Sequence, residues 1–415
     1  MSLQQKIPFW TAVLMSINII VGGGIFAGPQ SMAALAGSLS FASWLLAAVL
    51  MFPIVWAVAR APVLFPGEGG FYHYCAQGIS PVFGFVAQWM FLLGYMMGTA
   101  SAMTVLLQTG LAQQLGFSFA SEHPSMTHAM ILTLFSLLNL MPLGLVSRIQ
   151  AGATLLKLIP LLIVVALTAF FYKSDLSYPL SLTASLPATI PTVIFGYLGF
   201  EACCSLTHLL KDGPESVGKV VLTAFFITAL LYTVFNFGLL QIMGVDSLAA
   251  EGAMAFPSYL GGSQELTFAL GVGISSAILL SFSNSLFGVS LGNITNIARI
   301  SGMSQPMAML LHGFIVWCLL CFTSELRTIF AFTVLGVGSA YTLTVVAVWR
   351  ENWKLKHHFQ VALMTLGFGS CAILFACCWL DLGTSHGERF LAIAPMFTGL
   401  AIGGILYRAK ILTLR

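Results

Sequence analysis

The stretch Asn18-Ile-Ile-Val-Gly-Gly-Gly-Ile-Phe-Ala-Gly-Pro29 sets three consecutive glycines inside an apolar run of membrane-crossing length. Each glycine in a helix interior costs roughly 0.5–1 kcal/mol relative to alanine, so three together mark a place where a helix stops and restarts. Main-chain groups released in hydrocarbon cost several kcal/mol each, and such a break survives only against protein or a water-filled cavity. The amides and carbonyls around Gly22, Gly23 and Gly24 carry no side chains to screen them and are open to a ligand. Close helix packing through small residues would explain one glycine cluster equally well. A second interruption decides between the two readings: Pro191-Thr-Val-Ile-Phe-Gly-Tyr-Leu-Gly-Phe-Glu201 breaks another apolar run at its middle. Paired broken helices at matching positions are the signature of an inverted-repeat secondary transporter with its site at the bilayer midplane.

Composition fixes the setting of both breaks. Of 415 residues, 58% are hydrophobic and 7% charged, against roughly 25% charged in a soluble domain. Apolar stretches near the ~20 residues needed to cross a bilayer recur along the chain. Twelve spans are expected, at about 8–36, 38–60, 81–110, 126–144, 150–172, 187–210, 217–243, 266–298, 306–323, 326–349, 358–380 and 388–407. The expected fold is therefore an all-α polytopic membrane protein of one transmembrane domain, residues 1–415, with no soluble domain. Two five-helix repeats, 8–172 and 187–350, open on broken helices 1 and 6, and peripheral helices occupy 358–408.

With Lys157 inside a span, only Lys173, Arg327 and Arg389 of the 16 basic residues fall on one side, and the rest share the other. The positive-inside rule then makes both termini cytoplasmic. Lys6 and the first apolar run resemble a signal peptide, but three glycines end an apolar core poorly and the charge pattern requires the segment as helix 1, an uncleaved anchor. The net charge of +3 is juxtamembrane and gives no reason to expect nucleic acid. Seven of the eight cysteines sit in or at the ends of spans, with Cys75 on the cytoplasmic side. Cys318 and Cys321 form a C-x-x-C pair within an apolar helix, where packing explains them better than metal or redox chemistry.

Helix N-termini offer free N–H groups and partial positive charge, and C-termini free carbonyls and partial negative charge. Together they suit a zwitterion. Its carboxylate is expected on the amides of Gly23, Gly24 and Ile25, and its ammonium on carbonyls near Ile20, Phe195 and Leu198. Gly22 and Gly196 flank these groups and complete the expected substrate-binding set. Two ionisable residues lie at membrane depth, where function is the default reading: Lys157 in span 5 and Glu201 just after the break in span 6. Lys157 is read as a fixed cation in place of a sodium ion, as a proton carrier, or as a static partner of span 1 carbonyls. Glu201 is read as a proton sensor, a substrate contact or a backbone partner. His123, His128, His208 and His312 receive no role, and Ser281, Ser283, Asn284 and Ser285 line a path or join helices. No metal site and no cofactor are expected.

Three segments resemble the amino acid/polyamine/organocation superfamily, and within it the bacterial relatives of cationic and L-type amino acid transporters. They are Gly22-Gly-Gly-Ile-Phe26, the loop Phe65-Pro-Gly-Glu-Gly-Gly-Phe-Tyr-His-Tyr74 running on to Gly84-Phe85 and Trp89, and Phe195-Gly-Tyr-Leu-Gly-Phe-Glu201 through Lys211-Asp-Gly-Pro214. The resemblance implies a five-plus-five inverted repeat with peripheral helices 11 and 12, and alternating access by rocking of a helix bundle. It implies that Gly23 and Gly24 hold the substrate carboxylate, that the Ile20 and Leu198 carbonyls take the amine, and that Phe195 gates the substrate. It also implies that Lys157 replaces the second sodium site and that Glu201 stands where some antiporters carry a glutamate. Gly23 departs from the usual Ser or Ala, and the glutamate usual in the span 6 exit is missing around Thr207-His208-Leu209.

The function expected is sodium-independent transport of amino acids across the cytoplasmic (inner) membrane, with protons or a second substrate molecule as the coupled species and the lipid bilayer as the surrounding partner. A cationic amino acid or polyamine antiporter is the alternative. Apart from Glu201 no midplane carboxylate is available for a second ammonium, which favours neutral substrates. A membrane enzyme would need a nucleophile, a base and usually a metal at one depth, and the scattered histidines supply none of these together.

Overall fold

The computed structural model describes residues 8–67, 70–108, 122–140, 158–168, 170, 186–201, 204, 210, 214–260, 265, 304–322 and 326–413. Among these residues the chain is helical, with no β-strand. Six segments among the described residues are long and apolar enough to cross a membrane: Gly24–Leu64, Pro81–Thr99, Glu215–Met243, Thr328–Lys354, His358–Asp381 and His386–Ile405. Lys157, His208 and the polar residues of span 8 lie outside the described residues.

The first apolar run folds as two helices, α1 (Phe9–Ile20) and α2 (Gly23–Ala36). A 3-10 turn, Gly37–Leu39, leads into α3 (Ser40–Leu64). Then follow the short α4 (Gly70–Gly78), α5 (Pro81–Gln108), α6 (Pro124–Leu140) and α7 (Leu158–Thr168). The sixth apolar run begins as α8 (Ile190–Tyr197) and is followed by α9 (Pro214–Met243) and the seven-residue α10 (Val245–Glu251). The chain closes with α11 (Gln305–Phe322), α12 (Leu326–Lys354), α13 (His358–Asp381) and α14 (His386–Thr413).

Two pairs of helices frame the breaks. Helices α5 and α12 make the most extensive contact among the described elements, and glycine permits it: a Cβ built on Gly336 would stand 2.7 Å from the Cα of Gly94. Helices α3 and α9 form the second pair, joined where a Cβ on Gly218 would meet the Ala59 carbonyl at 2.7 Å and where Ser40 donates to the Asn236 side-chain oxygen at 3.2 Å. Small residues let backbones approach this closely where lipid offers no hydrophobic drive for helix association. The core between the pairs is apolar and aromatic, with Trp44, Tyr197, Tyr232 and Tyr341 fully buried.

Burial falls steeply toward the end of the chain. The apolar window of the Thr328–Lys354 segment is 78% buried, that of His358–Asp381 33% and that of His386–Ile405 11%. Helices α13 and α14 therefore turn most of their apolar surface outward, as lipid-facing helices do. Helix α4 instead buries Phe71, Tyr74 and Cys75. Burial pushes the Cys75 thiol up to about 12, and its hydrogen bond to Thr344 offsets only part of that rise, which disfavours the reactive thiolate.

Candidate functional site

The break in the first apolar run is two residues long. Helix α1 ends at Ile20, Val21 and Gly22 turn to extended backbone, and α2 restarts at Gly23. Gly23, Gly24 and Ile25 consequently form the first turn of α2, whose N–H groups have no intrahelical acceptor. The glycine run thus spans the break and the start of the next helix.

The second break follows Tyr197. Leu198 leaves the helix in an extended conformation while its N–H still bonds to the Phe195 carbonyl at 3.2 Å. Gly199 then adopts φ +111°, a conformation that favours glycine. A Cβ there would also lie 2.9 Å from the Ile19 side chain and 3.1 Å from the Ile19 carbonyl carbon, so the residue after one break packs on the end of the helix before the other.

The two interrupted helices meet glycine to glycine. A Cβ on Gly24 would stand 2.5 Å from the Cα of Gly196, and one on Gly196 would stand 2.8 Å from the Trp44 ring. Only hydrogen fits at either position. Between the breaks lies a cavity lined by Ile19, Ile20, Gly22, Gly24, Tyr95, Gly98, Phe195, Gly196, Leu198 and Thr333. The room it leaves inside is ≈ 20 Å³, about enough for one water, so the two breaks stand nearly closed on each other.

The structure thus brings Ile20, Gly22, Gly24, Phe195, Gly196 and Leu198 to one cavity, with Gly23 and Ile25 in the adjoining helical turn. It also qualifies the set of free carbonyls. The Ile20 carbonyl accepts a hydrogen bond from the Tyr232 hydroxyl at 2.8 Å, and that of Phe195 accepts from Leu198. A carbonyl oxygen carries two lone pairs, so that of Ile20 retains one for a ligand. Phe195 is buried and stacked on Phe330 of α12, with ring centroids 4.1 Å apart and planes at 22°, a contact worth about 0.5–1.5 kcal/mol beyond its area.

Glu201 sits just beyond the second break, 2% exposed. One of its oxygens accepts a short bond from the Tyr95 hydroxyl of α5. The other accepts from the Tyr341 hydroxyl of α12 at 2.8 Å and from the Gly199 amide at 3.1 Å. The glutamate therefore ties the interrupted sixth run to the locked α5–α12 pair, and Tyr95 belongs to both the tie and the cavity wall. Behind the breaks, Trp44 meets Tyr197 and Tyr232 edge to face at 5.6 and 4.8 Å, and the Tyr197 hydroxyl donates to the Trp44 carbonyl at 2.9 Å.

Sequence reasoning missed Tyr95, Tyr232 and Tyr341. A usable signal existed, since a tyrosine in the middle of an apolar span needs a partner for its hydroxyl. His128 lies buried near the start of α6. Among the described residues no group of three or more His, Cys, Asp or Glu side chains is arranged to hold a metal ion.

Comparison with known proteins agrees with this architecture. The family model for amino acid permeases matches residues 7–402. The chain is also similar to the arginine/agmatine antiporter of Chlamydia felis (strain Fe/C-56), 28% identical over 270 residues, covering 58% of this chain and 54% of that protein. The arginine/agmatine antiporter of Chlamydia pneumoniae is 27% identical over 245 residues, covering 54% and 49%. The chain spans about half the length of these curated relatives. Broken helices that meet across a glycine pair, a cavity between them and a match over nearly the whole chain lead to one conclusion: the protein is a multi-pass membrane protein belonging to the amino acid permease family, within the amino acid/polyamine/organocation superfamily.

Proposed function

We propose that the protein is a sodium-independent amino acid transporter of the cytoplasmic membrane, working by alternating access with proton symport or substrate exchange, with both termini cytoplasmic. The observation that carries the reading is the meeting of the two helix breaks at Gly24 and Gly196 around a single cavity. One end of that cavity offers the first-turn amides of α2 and the other the carbonyl ends of α1 and α8. Free amides attract a carboxylate and free carbonyls an ammonium. The two ends of an α-amino acid match them.

Alternating access requires contacts that can be made and broken between two bodies. The Glu201 tie to Tyr95 and Tyr341 and the Phe195–Phe330 stack both cross from the interrupted helix to the α5–α12 pair. They are the proposed latch. Lys157 is assigned the coupling role because the sequence puts its charge about two turns into span 5, at membrane depth, where an ionisable group is expensive unless used. The twelve-span, five-plus-five organisation belongs to the same proposal.

Purified protein in proteoliposomes tests the reading. Saturable uptake of a radiolabelled amino acid in sodium-free buffer, stimulated by unlabelled amino acid inside, is expected. A sodium requirement would overturn the role given to Lys157. The similarity to arginine/agmatine antiporters supports a second reading, exchange of a cationic amino acid for its decarboxylated amine, which the choice of internal substrate separates.

A further inference from the structure

The cavity between the breaks also selects among side chains, an inference that rests on the transport reading above. Its described lining contains one hydroxyl on Tyr95 and one on Thr333, and neither is turned to a ligand. The Tyr95 hydroxyl donates to Glu201, and the Thr333 hydroxyl donates to the Ile329 carbonyl of its own helix at 2.8 Å. The remaining described side chains of the lining are those of Ile19, Ile20, Phe195 and Leu198, beside glycines. Phe195 has one ring face covered by Phe330.

Glu201 reaches this wall through Tyr95, and both of its oxygens are engaged. Three donors fill three of roughly four acceptor positions on a carboxylate, and a guanidinium needs two oxygens side by side to pair in its favoured geometry. We infer that the site accepts an α-amino acid with an uncharged, apolar side chain and rejects arginine, agmatine and diamines, with Tyr95 as a specificity-determining residue that keeps Glu201 from serving as a cation subsite. The zwitterionic end is received by main-chain groups, which do not distinguish one amino acid from another. Discrimination falls to the apolar wall and to the occupied carboxylate. Moving a cationic side chain to such a wall without a charged partner is strongly unfavourable.

The test is competition against radiolabelled leucine on purified wild-type protein, with alanine, valine, methionine, arginine, agmatine and putrescine as competitors. Valine and methionine are expected to displace leucine, with arginine and agmatine at least ~100-fold weaker. Arginine or agmatine competing as well as methionine would overturn the inference and leave amino acid transport standing. If radiolabelled leucine and radiolabelled arginine both fail to bind, the transport reading itself fails. Tyr95→Phe, which keeps the ring and removes the donor, is expected to narrow the methionine-to-arginine gap about tenfold by freeing one oxygen of Glu201. A folded Tyr95→Phe protein with an unchanged gap would remove Glu201 and Tyr95 from selectivity.

Discussion

Glu201 and Glu388 each accept three hydrogen bonds, at opposite extremes of the same molecule. Glu388 opens α14, where one oxygen accepts from the Thr384 amide and hydroxyl at 2.8 Å and from the Ser385 amide at 3.2 Å, while its own amide bonds back to the Ser385 hydroxyl. This reciprocal arrangement is a capping box, and it stands in the open. Glu201 is closed in by two tyrosines and a glycine amide. Exposed bonds replace bonds to water and change little when lost, whereas a buried donor deprived of its acceptor bears its full desolvation cost, about 1–3 kcal/mol. Equal bond counts therefore give unequal consequences, and the difference separates the proposed centre from a periphery that anchors helices.

Removing the buried carboxylate is the harshest way to probe that contrast. Glu201→Leu leaves two tyrosine hydroxyls and one amide without their acceptor, a loss of roughly 3–6 kcal/mol if each bears even part of that cost. It is expected to abolish uptake and lower the thermal midpoint in detergent sharply, with Glu201→Gln falling between it and wild type. A Leu variant as stable and active as wild type would erase the distinction between the two glutamates.

Next in size is the glycine contact. Gly24→Ala or Gly24→Val drives a Cβ into the Gly196 backbone, so binding and the fit of the two broken helices should be lost together, unlike a substitution that merely blocks the amides. At the periphery, Gly369 and Gly404 have nothing within 4 Å of a built Cβ. Alanine at either position is expected to leave uptake unchanged and to stabilise the helix by about 0.5–1 kcal/mol, measurable as a small rise in thermal midpoint.

Tyr232→Phe should have a moderate effect, because it frees the Ile20 carbonyl from one donor at a net cost of about 0.5–1.5 kcal/mol. Substrate affinity should shift while the fold persists, and identical binding curves would reduce Tyr232 to packing. Smallest of all, Glu388→Ala should alter the melting curve slightly and uptake not at all. Transport lost in that variant would contradict the anchoring role of α14.

Both breaks were legible in the sequence because glycine is a local signal. Gly22 to Gly24 and Leu198 to Gly199 interrupt helices wherever they are placed, and the apolar lengths of spans 7, 9, 10, 11 and 12 read within a few residues of α9 and of α11 through α14. The chemistry around Glu201 was not legible. Its tyrosine partners lie 106 and 140 positions away, and helical periodicity orders neighbours three or four residues apart, not those on another span. The same reason hid the meeting of Gly24 with Gly196: each glycine is visible, and their contact belongs to the packing of helices far apart in sequence.

In the proposed mechanism the cavity joining the two breaks carries amino acids without sodium. Counterflow tests it most directly: proteoliposomes preloaded with unlabelled neutral amino acid, in sodium-free buffer inside and out, are given a trace of the same amino acid in labelled form. Transient, saturable accumulation of label by wild-type protein, absent from Gly24→Val vesicles, is the predicted result. Accumulation that appears only with a sodium gradient, or that persists in Gly24→Val, would contradict it.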